Sequence, residues 1–250
     1  KTEMKLKYLY LILMLIAVSC KEKTAGRQPL TVAQERDTVS RESAPEPAVP
    51  YTGFESSLLD AGLKDIRQLD STIRIALKYA TEDNFMGRVL YTDLSHAFLQ
   101  AEAATKLVAA QKELKEKDSA LGLLVYDAVR PNSIQYKMWD LVAGTPKELY
   151  VAPPGSGSLH NFGCAVDLTI VKNGVPLDMG TPYDFFGKKA QPRYNRYFLD
   201  RNELTQEQVA NRELLRTVMR SAGFIPIDSE WWHFNAFSLE DAKKKYNIVK

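Results

Sequence analysis

The order of strand-like and helix-like segments is the feature that most restricts how this chain can fold. Apolar runs, several of them alternating, predict strands over residues 71–81, 121–127, 163–171 and 224–237. Apolar residues at helical spacing predict helices over residues 95–117, 132–142 and 205–221. Because these segments do not alternate regularly as in a parallel sheet, we expect an α+β fold. The predicted architecture is a single domain with a mainly antiparallel sheet packed by helices.

Composition separates a folded body from the polar segment that precedes it. The chain has 250 residues, of which 45% are hydrophobic, and this suits one domain with a substantial core. Residues 21–50 contain four prolines and no aromatic side chain. Such a segment buries too little apolar surface to offset the entropy lost on ordering. We therefore predict a disordered linker over residues 21–50 and a folded domain over residues 51–250.

The first twenty residues have the pattern of a leader. Lys5 and Lys7 precede an uncharged apolar run, Leu9–Val18, and Cys20 follows closely. The run is too short to span a bilayer, for which about 20 apolar residues are needed. Basic residues before a short apolar run are typical of a secretory signal peptide, and the cysteine after it resembles a bacterial lipobox. The alternative, a buried N-terminal helix, is less favoured because no amphipathic segment follows.

This pattern predicts a lipoprotein signal peptide over residues 1–20 and a lipid on Cys20. The lipid would anchor the chain to a membrane, and we expect the folded domain on the periplasmic side of a bacterial membrane. The net charge excludes few functions, because it is only +2 and basic residues are scattered among acidic ones. That distribution does not indicate a nucleic-acid partner. Two cysteines are also too few for a disulfide framework.

A histidine and an aspartate lie close together at the predicted strand over residues 163–171. His160 precedes Gly163, and Asp167 lies in the middle of the apolar run that follows. An aspartate there is costly to bury unless it is paired or bound to a cation. Gly163 allows the chain to bend so that His160 returns towards Asp167. Strand alternation points Cys164 to the opposite face, so we interpret this thiol as a core residue and not as a ligand.

A second histidine ends the sequence Glu230-Trp231-Trp232-His233. Strict strand alternation would place Glu230 and His233 on opposite faces. They converge only if Glu230 lies in a turn before the strand or on a bulge. The third histidine, His96, matches no motif, and we interpret it as structural.

Together these residues have the composition of a catalytic zinc site. Such sites use three protein ligands and leave one position for water, and His160, Asp167 and His233 supply that set. Glu230 would remain as a nearby general base, and Arg130, at the end of a predicted strand, could stabilise a developing oxyanion. The alternatives are hydrogen-bonded core histidines and structural ion pairs at the two carboxylates. Two motifs that each join a histidine to a carboxylate favour the metal site.

The same motifs resemble those of the D-alanyl-D-alanine dipeptidases, a family of zinc peptidases. Its pattern S-x-H-x-x-G-x-A-x-D, followed later by E-W-W-H, is present in full, and the resemblance extends over roughly residues 79–237. It implies the fold shared with hedgehog signalling domains, zinc on the three ligands above, and a small dipeptide substrate. It also implies substrate-binding positions at Tyr79, Asp184, Ser158 and Asp127. Asp184 and Tyr79 match positions that engage the free amino group of the dipeptide.

The resemblance therefore implies zinc-dependent hydrolysis of D-alanyl-D-alanine or a similar D,D-dipeptide. Export would favour a role in cell-wall peptide turnover, because an exported enzyme cannot drain a precursor pool in the cytoplasm. Two alternatives stay open at this point. One is a D,D-carboxypeptidase or endopeptidase that acts on longer peptidoglycan peptides, and the other is a catalytically silent zinc-binding module. The presence of both Glu230 and Arg130 argues against the silent module.

Overall fold

A computed structural model of the chain describes residues 49–155 and 157–250. The predicted signal peptide with Cys20, and all but the last two residues of the predicted linker, lie outside this range. No helix in the described part is long and apolar enough to cross a membrane. Its seven α-helices are α1 (Gly53–Asp60), α2 (Ile66–Leu69), α3 (Ala101–Lys117), α4 (Asn132–Val142), α5 (Asn195–Asp200), α6 (Gln206–Ser221) and α7 (Leu239–Lys245).

The strands form one six-stranded sheet and one separate pair. The eight strands of the described residues are β1 (Lys64–Asp65), β2 (Arg74–Ile75), β3 (Phe98–Leu99), β4 (Leu121–Asp127), β5 (Ala165–Lys172), β6 (Val175–Pro176), β7 (Ile225–Pro226) and β8 (His233–Asn235). The main sheet has the order β2-β4-β5-β8-β7, with β6 also paired to β5, while β1 pairs with β3. Only β2 and β4 pair in parallel, so the prediction of an α+β fold with a mainly antiparallel sheet is confirmed.

Helix α6 begins and ends where its sequence provides caps. Thr205 and Gln208 form a capping box at the start of α6, and Gly223, with a φ of 87°, lies just beyond its end. Helix α3 packs against β4 and against α6, which in turn packs against β5. The two central strands are therefore covered by the two longest helices.

The register between β4 and β5 gives the sheet two chemically different faces. Leu123 pairs with Ile170 and Val125 with Leu168, and all four side chains are fully buried. We call these four residues the core face. On β5 and β8 the opposite face carries Asp167, which pairs with His233.

A β-bulge brings a further acidic residue to that opposite face. Strict alternation along β4 would place Asp127 on the core face with Val125. The register instead shifts between Val125 and Asp127, so that Asp127 pairs with Asp167. Tyr126 is the extra residue of the bulge. We call Asp127, Asp167 and His233 the site face of the sheet.

Three of the sequence predictions were wrong in their bounds. The strand predicted over residues 224–237 is two short strands, β7 and β8, and residues 227–232 between them belong to no strand. The strand predicted over residues 71–81 is limited to Arg74–Ile75, and Lys78–Ala80 form a 3₁₀ turn whose Tyr79 carbonyl accepts from two later backbone amides. The helix predicted from residue 95 begins at Ala101. The reason is that Phe98–Leu99 pair with β1, and the backbone N–H of His96 donates to the Glu55 carboxylate of α1.

Two other sequence interpretations are confirmed by the packing. His96 is structural, because its backbone N–H and its Nδ1 both lie within 3.0 Å of the Glu55 Oε1 atom. Cys164 is a free, fully buried thiol that packs with Phe162 and Ala242. Burial raises the pKa of this thiol to about 12, so it remains protonated.

Candidate metal centre and active-site cleft

Three different local structures deliver the three predicted metal ligands to one point. His160 lies in a 3₁₀ helix, Leu159–Phe162, which ends at Gly163 with a φ of 66°. This left-handed conformation, which glycine adopts readily, turns the chain directly into β5 and Asp167. His233 begins β8 and is the register partner of Asp167. The bend predicted at Gly163 is therefore confirmed.

The ligand atoms have the separations expected around a single ion. His160 Nε2 lies 3.1 Å from His233 Nδ1 and 3.3 Å from Asp167 Oδ1, and His233 Nδ1 lies 2.9 Å from Asp167 Oδ1. A tetrahedral ion with ligand bonds of about 2.0–2.1 Å separates its ligand atoms by about 3.3–3.4 Å. A contraction of a few tenths of an ångström is the only difference, so these residues fit a divalent metal.

The hydrogen bonds on the outer side of the two imidazoles orient the rings so that their other nitrogens face the same point. His160 Nδ1 donates to the Ala128 carbonyl oxygen at 2.7 Å, and His233 Nε2 donates to Asn235 Oδ1 at 2.7 Å. In each imidazole the other ring nitrogen therefore faces Asp167, and in the neutral ring that nitrogen carries a lone pair that can bind a cation. Such outer contacts are typical of metal-binding histidines.

The Asp167 carboxylate is buried and remains ionised. Burial favours its protonated form, but the attraction and hydrogen bonds of His160 and His233 outweigh that effect and hold the pKa of Asp167 well below its ordinary value. Its second oxygen, Oδ2, accepts a hydrogen bond from the Tyr183 hydroxyl at 2.9 Å. Both oxygens of this carboxylate thus have defined partners.

Glu230 lies in the irregular segment before β8. It is therefore not bound by strand alternation, and its side chain can lie on the same face as His233. It lines the same cleft as His160, Asp167 and His233. Its carboxylate makes no hydrogen bond or ion pair with the residues that the structure describes. Burial raises the pKa of Glu230 to about 7, although the nearby His233 acts in the opposite direction. A carboxylate with such a pKa can accept and release a proton near neutral pH.

Arg130 is held from behind by Asp127, so that its guanidinium faces the cleft. Its Nε and Nη2 donate to Asp127 Oδ2 at 2.9 and 2.6 Å, and its Nη1 donates to Gln135 Oε1 at 3.0 Å. The β-bulge at Tyr126 makes this contact possible, since it turns Asp127 out of the core face. One proton on each Nη atom is left for a molecule in the cleft.

The Asp127 side chain has no exposed surface. It accepts from Tyr91 at 2.7 Å as well as from Arg130, so its contacts are with the protein. The structure therefore places this predicted substrate-binding residue beneath Arg130, where it orients the guanidinium. A direct contact with substrate is excluded by burial, and this corrects the sequence interpretation.

Tyr79 and Asp184 form a polar pair at another part of the cleft wall. The Tyr79 hydroxyl donates to Asp184 Oδ2 at 3.0 Å, and its ring lies 5.2 Å from the Arg130 guanidinium carbon. Burial and, next, the charge of Asp167 raise the pKa of Asp184 to about 8. Asp184 has a φ of 58°, a conformation that is uncommon for non-glycine residues and often marks functional sites.

Ser158 has a local structural contact beside its place in the cleft. Its hydroxyl accepts from the His160 backbone N–H at 3.3 Å, and Asn161 Oδ1 accepts from the Ser158 N–H at 2.7 Å. This capping box fixes the start of the 3₁₀ helix that carries His160. The cleft itself has a volume of about 440 Å³ and is also lined by Trp232, Tyr150 and Phe186.

Sequence reasoning missed three residues that support this site: Asn235, Tyr183 and Gln135. Asn235 carried a usable signal, because a residue two positions after His233 on a strand lies on the same face. Tyr183 stands directly before Asp184, but nothing in the sequence indicates that its hydroxyl reaches Asp167. Gln135 lies one turn into α4, and only the folded chain shows that it receives Arg130.

Such a site defines a class of protein, the metal-assisted hydrolases, because three ligands leave an open position beside an unpaired carboxylate and a buried guanidinium. A family model for M15 peptidases, described as D-ala-D-ala dipeptidase, matches residues 59–248. The chain belongs to this family and is a peptidase.

Curated relatives agree with the family match. The chain is 35% identical over 173 residues to a D-alanyl-D-alanine dipeptidase of Escherichia coli strain K12, covering 69% of this chain and 83% of that protein. It is 30% identical over 177 residues to one from Synechocystis, covering 58% and 71%. It is 27% identical over 197 residues to one from Enterococcus faecium, covering 70% and 92%.

Proposed function

We propose that this chain is a zinc-dependent dipeptidase that hydrolyses D-alanyl-D-alanine or a closely similar D,D-dipeptide. The observation that carries the proposal is the convergence of His160, Asp167 and His233, whose ligand atoms all lie within 4.8 Å of one another. The relatives named above are D-alanyl-D-alanine dipeptidases, and the same cleft contains the groups that such a reaction needs.

The ligand set favours zinc over harder cations. Two imidazole nitrogens and one carboxylate oxygen are a common catalytic zinc set, whereas magnesium and calcium prefer oxygen ligands alone. Zinc bound there would lower the pKa of a water molecule and polarise the peptide carbonyl.

The protein groups around the cleft supply the proton transfers and the charge stabilisation. Glu230 takes a proton from the attacking water and returns one to the leaving amine nitrogen, because its carboxylate lines the same cleft as the three ligands. Arg130 donates its remaining Nη protons to the oxygen that becomes negative during attack. Because Asp127 and Gln135 already hold the guanidinium, it does not need to reorganise during the reaction.

The Tyr79–Asp184 pair favours a dipeptide over a longer peptide. A dipeptide has a free ammonium at the residue before the cleaved bond. Its positive charge would lower the pKa of Asp184 from about 8, and the ionised, half-buried carboxylate would then be its partner. In a longer peptide that nitrogen belongs to a neutral amide, and Asp184 would lose this charged partner. We infer that Asp184 binds the substrate amino group and thereby selects dipeptides.

Substrate comparison tests this function. Zinc-loaded protein should release D-alanine from D-alanyl-D-alanine much faster than from N-acetyl-D-alanyl-D-alanine, L-alanyl-L-alanine or a pentapeptide stem. Faster cleavage of the pentapeptide would support the carboxypeptidase alternative. Zinc binding without hydrolysis of any of these peptides would support the silent zinc-binding module, and either outcome would contradict the proposal.

We further propose that the chain is exported and anchored through a lipid on Cys20. The support is the leader-like sequence over residues 1–20 alone. An anchored enzyme on the periplasmic side would act on dipeptide released from the cell wall, which favours wall turnover over depletion of a cytoplasmic precursor. The full chain should partition with membranes, while a Cys20→Ser variant should not. Recovery of both proteins in the cytoplasmic fraction would contradict export.

A further inference from the structure

The two oxygens of Asp167 face different surroundings. Oδ1 lies among the ligand nitrogens, 2.9 Å from His233 Nδ1 and 3.3 Å from His160 Nε2. Oδ2 points away from them and accepts a hydrogen bond from the Tyr183 hydroxyl at 2.9 Å. A phenol is a donor at neutral pH, and a bond to a carboxylate is stronger than one between neutral groups.

Arg130 is the other group that could bind Oδ2. Its Nη2 lies 3.9 Å from Asp167 Oδ2 but only 2.6 Å from Asp127 Oδ2. Without the Tyr183 hydroxyl, Oδ2 would be left without a donor at hydrogen-bonding distance in a buried site, which is unfavourable. The carboxylate could then rotate to place both oxygens near the metal position, or draw Arg130 away from Asp127.

Tyr183 is packed in a fixed position, so its hydroxyl can hold the Asp167 carboxylate in one orientation. Its ring packs against Trp232 and Tyr126, with centroid separations of 5.4 and 5.2 Å. Its hydroxyl also lies 3.4 Å from the Tyr79 hydroxyl, which donates to Asp184. Two adjacent phenols therefore serve two adjacent carboxylates, one in the predicted metal centre and one in the predicted amino-group site.

We propose that Tyr183 is a positioning residue that fixes Asp167 as a ligand through one oxygen only and keeps Arg130 on Asp127. It does not line the cleft, so it acts through Asp167 and not on the substrate. This inference rests on the metal site of the proposed function. It does not depend on which peptide is cleaved.

Metal affinity without substrate is the first test. The probe is Zn²⁺ in competition with a chromophoric chelator, and Tyr183→Phe should bind it about 10-fold more weakly, as for other groups that orient metal ligands. Tyr126→Phe is the matched control, because it also removes one phenol oxygen and its ring touches that of Tyr183. It should match the unmodified protein, as should Tyr79→Phe, because the Tyr79 hydroxyl donates to Asp184 and not to Asp167.

Cobalt spectroscopy and steady-state kinetics separate positioning from packing. With Co²⁺ in place of zinc, Tyr183→Phe should show an altered visible absorption spectrum, while Tyr126→Phe should not. At saturating metal Tyr183→Phe should lose kcat with KM nearly unchanged, whereas Tyr79→Phe should raise KM.

Unchanged zinc affinity and an unchanged cobalt spectrum in Tyr183→Phe would overturn the proposal. An equal loss of zinc affinity in Tyr126→Phe would also overturn it, because the effect would then be one of packing. Zinc affinity and the spectrum are measured without dipeptide, so a chain that binds metal but cleaves no dipeptide would contradict the proposed function and leave this inference standing. If Tyr183→Phe unfolds, Tyr183→Met, which also lacks a hydroxyl donor but has a flexible apolar side chain, replaces it under the same criteria.

Discussion

The two faces of the central sheet use the same strands for opposite purposes. On the core face, Leu123, Val125, Leu168 and Ile170 are fully buried and belong to one continuous apolar cluster. On the site face, Asp127 and Asp167 are almost as deeply buried but are polar, and His233 is partly exposed. Burial alone therefore does not distinguish a stabilising position from a functional one in this protein.

The two faces differ in how each residue satisfies its environment. A core-face side chain stabilises the fold because its apolar surface is removed from water. The residues it packs against can be exchanged for others of similar volume at small cost. A site-face side chain must have a specific partner for every polar atom. The bulge at Tyr126 is where β4 changes from one kind of position to the other, because one extra residue moves Asp127 from the core face to the site face. Substitutions on the two faces should therefore change different observables.

Glu230→Gln should have the largest effect on activity and little effect on the fold. Loss of the general base should lower kcat by about 10³-fold, since this kind of proton transfer contributes roughly 10²–10⁴-fold. Metal content and the cooperative unfolding transition should be retained. Assays of dipeptide hydrolysis with matched zinc loading measure this, and Glu240→Gln, on the exposed part of α7, is the control. Wild-type turnover in Glu230→Gln would remove this carboxylate from the mechanism.

Leu168→Ala should affect stability instead. Leu168 is fully buried on the core face, and leucine-to-alanine changes at such positions cost about 2–5 kcal/mol. Denaturant unfolding of the metal-free protein should show this loss, while zinc affinity of the folded variant stays unchanged. Leu69→Ala is the control, because Leu69 is 48% exposed and should change stability by less than about 0.5 kcal/mol. Lost zinc affinity in folded Leu168→Ala would contradict the division between faces.

The pH dependence of the metal-free protein should be the smallest and most specific difference. The folded-state pKa values of Glu230 and Asp184, about 7 and about 8, lie above their ordinary values. Between roughly pH 4.5 and 7 the unfolded chain ionises these groups while the folded chain keeps their protons. The free energy of unfolding should therefore fall as pH rises, by up to about 1.4 kcal/mol per pH unit for each group.

Glu230→Gln and Asp184→Asn should each reduce that slope, as measured by denaturant unfolding in the presence of a chelator. Glu55 changes the free energy of unfolding with pH in the opposite direction. Hydrogen bonds hold its pKa at about 2 in spite of burial, so its ionised form stabilises the fold. Its contribution is lost only as pH falls below its ordinary range, so it does not interfere above pH 4.5. A slope that is unchanged in both variants would contradict the burial of these two carboxylates.

The sequence was sufficient for the central strands and for the three candidate ligands. Strand β5 was predictable because its apolar run is long and ends at a turn, and His160 and Asp167 lie on either side of a glycine that reverses the chain. Short elements were not predictable. The apolar run over residues 71–81 breaks into β2 and a 3₁₀ turn because tertiary hydrogen bonds to Tyr79 override the local pattern.

The support around the ligands was less visible in the sequence. The bulge that turns Asp127 towards Arg130 is a property of the register between β4 and β5, and no periodicity in β4 alone reveals it. The Tyr183 bond to Asp167 likewise depends on how two loops fold together. Asn235 is the exception, because its spacing from His233 on one strand face could have been recognised.

The most direct test of the account is the metal content of the purified chain after equilibration with zinc and removal of the excess. Elemental analysis should give one zinc per folded chain for the unmodified protein and for Glu230→Gln. It should give a strongly reduced content for His160→Ala, Asp167→Ala and His233→Ala. Full zinc content in any of these three alanine variants would contradict a single ion shared by the three side chains.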